Sequence, residues 1–173
     1  APDSDPAGWF TSGCSPFVYR DEVIPALSGQ FLACDPAQNF IFRGRLSRSE
    51  DPKEVAYQLE RFHDEQSKEF CASSDAWSHP MALSHGPDGA VWIVDYYREI
   101  IEDYSAIPRH LQQQYGLYRG HDRGRIYRLT HEDAMALPSP DLTGHSMREL
   151  ADELNSPSSW RRETALRLIR ESK

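Results

Sequence analysis

The run Gly86-Pro87-Asp88-Gly89, followed by Ala90-Val91-Trp92-Ile93-Val94-Asp95-Tyr96, restricts the fold of this chain more than any other stretch. Proline pre-sets φ for a turn, and glycine supplies the positive φ that closes it. The segment after the turn is almost wholly β-branched and aromatic, which predicts a strand buried on both faces. Pro80-Met81-Ala82-Leu83-Ser84 lies on the other side of the turn and reads as its antiparallel partner. Gly124–Leu129 (GRIYRL) supplies a third strand, with Ile126 on the inward face and Arg125 and Tyr127 opposite. The long insertion 97–123 separates it from the hairpin, and Ile107-Pro108-Arg109-His110-Leu111-Gln112 starts a short helix inside that insertion.

Upstream, the pattern is again of short strands between turns. Thr11–Arg20 carries Cys14, Phe17, Val18 and Tyr19; 21–25 is a connection; Gln30–Cys34 is a short apolar run; and 35–39 is a turn rich in Asp, Pro and Asn. Phe40–Leu46 alternates, with Phe40, Phe42 and Gly44 on one face. In 54–62, Val55, Tyr57 and Leu59 alternate as a strand does, although Asp51-Pro52 is also the opening of a helix; the strand is the expectation. An aromatic share of 11% fits strands and rules out disorder. These strands group as four and then three: one four-stranded blade and most of a second, a partial β-propeller with open edges.

After Thr130 the pattern changes. Residues 137–145 form a linker with Pro138 and Pro140. Ser146–Asn155 is a helix that opens on a Ser146/Glu149 capping box, and Ser156-Pro157 reads as the cap and first residue of the next helix, which carries Trp160, Ala165, Leu166, Leu168 and Ile169. An αα-hairpin of this kind exposes one apolar side, as the first unit of a helical array does. The expected organisation is therefore a linker start at 1–8, propeller blades at 9–136, a linker at 137–145 and a HEAT-like αα-hairpin at 146–173. The fold class is mainly β.

Composition excludes several functions. Across 173 residues, 19 Lys and Arg against 27 Asp and Glu leave a net charge of −8, which argues against a general nucleic-acid binder. No apolar run approaches the roughly 18 residues of a membrane span, and no basic segment leads into an apolar one as in a signal peptide. The polar start Ala1-Pro2-Asp3-Ser4-Asp5-Pro6 suggests a removed leader or a chain cut from something longer. Cys14, Cys34 and Cys71 form neither C-x-x-C nor C-x-x-C-H, which excludes a zinc ribbon and covalent haem in this chain. No P-loop, dinucleotide fingerprint or Ser-His-Asp order is present.

Three stretches carry a resemblance. Phe70-Cys71-Ala72-Ser73-Ser74-Asp75-Ala76-Trp77-Ser78-His79-Pro80, then Gly86–Glu102 (GPDGAVWIVDYYREIIE), then Gly120-His121-Asp122-Arg123-Gly124-Arg125-Ile126-Tyr127-Arg128 resemble the last propeller blade of the membrane-bound dehydrogenases abundant in planctomycetes, relatives of the glucose/sorbosone quinoprotein dehydrogenases. Gly13-Cys14 and the stretch from Val18-Tyr19-Arg20 to Arg43 resemble the preceding blade, and the αα-hairpin fits the HEAT-like helices that commonly follow. The resemblance covers about residues 9–172. It implies an exported bacterial protein, periplasmic or extracellular, that oxidises a sugar or alcohol with pyrroloquinoline quinone (PQQ), with Ca²⁺ as a companion ion and a c-type haem domain elsewhere in the parent. In such quinoproteins the main catalytic base and much of the cofactor shell lie in earlier blades, so this chain alone is expected to be inactive. The missing blades, or another copy of the chain, are its expected partners. Two positions depart from the family pattern: Ser78-His79-Pro80 replaces Phe-Arg-Pro, which removes an arginine suited to an anionic cofactor or substrate, and Ile101-Glu102-Asp103-Tyr104 replaces Ile-Glu-His-Pro.

Within that frame Asp75 and His79 are the candidate catalytic pair, and His85 and Arg98 the candidate cofactor contacts. Asp88 and Asp95 are candidate Ca²⁺ ligands. Each has a plainer alternative: an Asx turn at Asp75, loop histidines, a turn-closing Asp88, a strand-ending Asp95, and an Arg98–Glu102 ion pair. Arg123, Arg125 and Arg128 read as a solvated face or as bridges between blades. Cys14 and Cys34 sit on strands joined by a connection centred near residue 24, so they either bridge or remain two buried thiols. The competing function is a non-catalytic module that binds a glycan or a protein.

Overall fold

The computed structural model describes residues 10–51, 53, 55–101, 107–134 and 138–172. The chain is mainly β: the described residues form eight strands in two antiparallel sheets. β1 (Cys14–Val18), β2 (Phe31–Asp35), β3 (Phe40–Arg48) and β4 (Tyr57–Arg61) lie side by side in that order, and the short β5 (Cys71–Ala72) pairs with the start of β3. β6 (Pro80–His85), β7 (Val91–Asp95) and β8 (Arg125–Leu129) form the second sheet, with β7 central. The described residues also form three helices: α1 (Arg109–Tyr115), α2 (Met147–Glu153) and α3 (Ser159–Glu171). No helix among the described residues is long and apolar enough to cross a membrane.

The residues group into two compact units. Of the described residues, one takes those up to Phe17 with those of Gln30–Leu83 and Ile93–Tyr127; the other takes Val18–Gly29, Ser84–Trp92 and those from Arg128 onward.

In the first unit β3 is the central strand. Phe40, Ile41 and Phe42 are buried because β2 and β5 flank them: Ile41 faces Cys34 on one side and Cys71 on the other. The turn into β3 is anchored by the buried Asp35, whose carboxylate accepts from Thr11 N (2.7 Å), Ser12 Oγ (2.7 Å) and Gln38 Nε2 (3.1 Å). Burial works to raise the Asp35 pKa, but the hydrogen bonds from Ser12, Thr11 and Gln38 outweigh it and hold the group below the usual carboxylate range. Beyond the core, Arg43 is ion-paired with Glu65 and lies 4.6 Å from the Phe62 ring centre and 4.8 Å from that of Phe70. β4, Tyr57–Arg61, is the strand that the alternation predicts.

All three cysteines are free thiols, which settles the open pairing of Cys14 and Cys34. Cys34 is fully buried, and Cys14 directs its Sγ at Met81 O (3.3 Å). Burial, followed by the neighbouring Cys14 and Cys71, pushes the Cys34 thiol up to about 12.

The second unit holds the αα pair. Leu142, Leu150 and Ala165 form its core, with Trp160, Leu168 and Ile169 packed against them. The Ser146/Glu149 capping box is present as the sequence predicts. The start of α3 is not: Ser158 is the N-cap and Ser159 the first helical residue, in place of Ser156 and Pro157. The cause is Asp21, distant in sequence, whose buried carboxylate accepts from Ser159 N (2.9 Å) and Ser158 Oγ (3.3 Å) and so neutralises donors that a helix start leaves orphaned.

Two expectations about the second sheet are corrected. β7 is not buried on both faces: Val91, Ile93 and Asp95 are buried, but Trp92, Val94 and Tyr96 are exposed. Nor does Ile126 face inward; it is 64% exposed, because β8 is the outer strand of its sheet and Arg125–Arg128 are all open to solvent.

Candidate functional site

The segment 75–80 and the exit of β7 lie together in the first unit. Tyr96 N donates to His79 O (3.0 Å) and Arg98 N to Trp77 O (2.9 Å), so the ladder of β6 and β7 continues past the strand end. Two groups of side chains sit on this frame, one buried and one exposed.

The buried group centres on Asp95, which is 1% exposed. One carboxylate oxygen accepts from His79 N (2.7 Å) and Tyr97 N (3.0 Å), and the other from Ser78 Oγ (3.1 Å). A carboxylate held this way is a structural clamp on the backbone. His79 is also buried, with Nδ1 2.7 Å from Pro36 O and Nε2 2.9 Å from Arg98 O. Both ring nitrogens are therefore turned to backbone carbonyls rather than to a reactant.

The exposed group centres on Tyr97, which has φ +41°, a conformation that costs a non-glycine residue energy and clusters at binding surfaces. The conformation follows from its neighbours. Tyr97 N is tied to Asp95 and its hydroxyl donates to Asp75 Oδ2 (3.0 Å). Asp75 Oδ1 accepts from Trp77 N (3.0 Å), closing an Asx turn. The hydrogen bonds from Trp77 N–H and the Tyr97 hydroxyl hold Asp75 below the usual carboxylate range. The half-exposed Trp77 ring lies 5.8 Å from Tyr97, and the Arg125 guanidinium lies 3.8 Å over the Tyr97 ring. Gly120 closes in from the other side: its φ is +85°, and a Cβ there would stand 2.9 Å from Tyr97 O. Arg98 does not reach outward as a cofactor contact would. Its NH1 donates to the carbonyls of Tyr96 (3.2 Å), Tyr97 (3.0 Å) and Gly120 (2.7 Å), and the guanidinium lies 4.4 Å from the Tyr96 ring centre. Glu102, its expected ion-pair partner, lies outside the described residues.

In the same unit a cleft of 360 Å³ is lined by Ser12, Cys14, Pro36, Met81, Tyr96, Ile100 and Ile101, and is almost wholly apolar.

His85 and Asp88 belong to the second unit and serve it structurally. His85 is buried against Tyr19 at 5.7 Å, and its Nε2 accepts from Arg20 N (3.0 Å). Burial lowers its pKa, which keeps that nitrogen an acceptor. Asp88 takes Ala90 N (3.2 Å) on one oxygen and an ion pair with Arg128 on the other. Gly89 (φ +80°) is fixed by the turn; a Cβ there would lie 2.3 Å from Val23 Cγ2. Among the described residues no group of three or more His, Cys, Asp or Glu side chains converges as a metal ion needs.

PQQ is a tricarboxylate quinone and needs donors aimed into open space. His79 and His85 spend ring nitrogens on the backbone, and Arg98 turns NH1 to three carbonyls. As they stand, these three side chains do not converge on a space that would take such a group. Of the candidates read from sequence, only Asp75 reaches an exposed, partly open arrangement. The sequence reading missed Trp77, Tyr97 and Arg125 as its companions. The available signal was an aspartate two residues before a tryptophan in a turn, with a tyrosine just past the next strand.

The class defined is thus a mainly-β protein of two antiparallel sheets with an exposed aromatic, carboxylate and guanidinium cluster at one hairpin's open end. The chain belongs to the family described as a domain of unknown function, DUF7133, whose model matches residues 2–133. No curated protein and no solved structure matches it.

Proposed function

We propose that this chain is a non-catalytic propeller and HEAT-like module of an exported quinoprotein-type sugar or alcohol dehydrogenase, inactive by itself. The motif runs at 70–80, 86–102 and 120–128 support the family, and the exposed Trp92, Val94 and Tyr96 face of β7 suits a strand that packs on a further blade. The observation that carries the proposal is where the candidate polar groups point. His79, His85, Asp88 and Asp95 bond to their own chain, and Arg98 turns to carbonyls, so the module supplies wall rather than chemistry. PQQ, Ca²⁺ and the electron-accepting haem domain then belong to the rest of the parent protein. The test is dye-linked oxidation of sugars and alcohols by the purified chain with PQQ and Ca²⁺. No turnover and no stoichiometric absorbance change are expected, and either one overturns the proposal.

A second reading, a module that binds a glycan, is favoured by the cluster of exposed Asp75 and Arg125 with half-buried Trp77 and Tyr97. Rings beside hydrogen-bonding groups at a rigid hairpin end are what a polyhydroxyl ligand requires. Binding of soluble oligosaccharides separates this reading from a purely architectural role.

A further inference from the structure

We infer that Asp75, Trp77, Tyr97 and Arg125 form a binding site for adjacent hydroxyls of a neutral saccharide; the inference rests on the glycan-binding reading above. Asp75 uses one carboxylate oxygen on Trp77 N and the other on Tyr97 Oη, both at 3.0 Å. A carboxylate offers about four lone-pair positions, so each oxygen keeps acceptor capacity, and the residue is exposed. Two neighbouring hydroxyls of a sugar ring match that pair of acceptors. The carboxyl group, held low by the Trp77 and Tyr97 hydrogen bonds, stays an acceptor through neutral pH.

Arg125 supplies the complementary donors. Its Nε donates to Arg123 O (3.2 Å) and its NH1 to Tyr127 Oη (3.3 Å), and a guanidinium carries about five N–H donors, more than these bonds use. The cation–π contact at 3.8 Å holds the guanidinium over the Tyr97 ring, whose hydroxyl donates to Asp75. The Trp77 ring gives an apolar surface for the C–H face of a pyranose. The strained Tyr97 backbone and the close approach of Gly120 preorganise the arrangement, so little ordering cost remains for the ligand.

Charge selects the class. The site holds one carboxylate and one guanidinium, so an anionic ligand meets Asp75 and a cationic one meets Arg125. A neutral polyol satisfies both groups without an unpaired charge.

The experiment is calorimetric titration of the whole chain with cellotriose and maltotriose, against trigalacturonate and a chitosan trimer as charged counterparts. At least one neutral trimer is expected to bind at millimolar or lower Kd, and the charged trimers more weakly by about tenfold or more. Asp75→Ala should weaken the neutral trimer by about tenfold or more, and Tyr97→Phe, which keeps the ring and loses the hydroxyl, by a smaller factor. Circular dichroism of both variants checks that they are folded. If the neutral trimers bind and Asp75→Ala binds as well as the parent, the site falls while the glycan reading stands. Charged trimers that bind as tightly as neutral ones also overturn it. If neither neutral trimer binds, the glycan reading falls and takes the site with it.

Discussion

Asp75 and Asp95 stand at the same open end of the β6–β7 hairpin and do opposite things. Asp95 sits at the end of a buried strand face, accepts from Ser78, His79 and Tyr97, and at 1% exposure lies out of a ligand's reach. Asp75 sits before the hairpin, in a turn open to solvent, and takes a single protein donor on each oxygen. The same carboxylate is a clamp in one place and an available acceptor in the other. Burial and the number of backbone donors in reach make the difference, and Tyr97 joins the two, with its N–H on Asp95 and its hydroxyl on Asp75.

That contrast can be broken by mutation. The largest effect is expected for Asp95→Ala, which strands buried donors at Ser78, His79 and Tyr97 and should cost about 3 kcal/mol of unfolding free energy by urea titration. A cost under about 1 kcal/mol would mean that Asp95 is not the clamp described. Asp35→Ala is next, at about 2–3 kcal/mol, since Thr11, Ser12 and Gln38 lose a shared acceptor.

Asp35 also makes a pH prediction. Its folded pKa is depressed relative to the unfolded chain, so its stabilisation is complete above the ordinary carboxylate range near pH 4 and is lost as pH falls through the folded value. The urea midpoint of the parent should fall on acidification from about pH 5 toward pH 3, and Asp35→Asn should flatten that slope.

Gly120→Ala tests the support of the exposed cluster. With φ +85° and a Cβ 2.9 Å from Tyr97 O, it should cost about 1–2 kcal/mol and disturb saccharide binding through Tyr97. The smallest effect on stability is expected for Asp75→Asn, whose thermal midpoint should match the parent while saccharide binding weakens. A large fall in the midpoint would make Asp75 a second clamp and erase the contrast.

The strands and the hairpin turn were legible because their signals are local. Pro87, Gly89 and the alternation in 40–46 and 55–59 need no knowledge of distant chain. The capping box of α2 was legible for the same reason. The start of α3 was not, because Ser156-Pro157 gives the stronger local signal while the buried Asp21 carboxylate selects Ser158 and Ser159. The open face of β7 was hidden because Trp92, Val94 and Tyr96 are as apolar as their buried neighbours, and sequence does not say which face is covered. In the site, Asp75 was legible as a polar residue of a patterned motif. Tyr97 was not, since its role depends on a backbone angle, and Arg125 resembles any solvated arginine until its ring partner is known.

The thiol at Cys34 has a kinetic corollary. With its pKa raised to about 12, Cys34 stays almost wholly a thiol at pH 7, and the thiolate is the attacking species in exchange with oxidants. Fully buried on the strand beside that of Ile41 and almost never ionised, this sulfur should outlast hours of exposure to oxidised glutathione, while scrambling with its neighbours waits for the sheet to open.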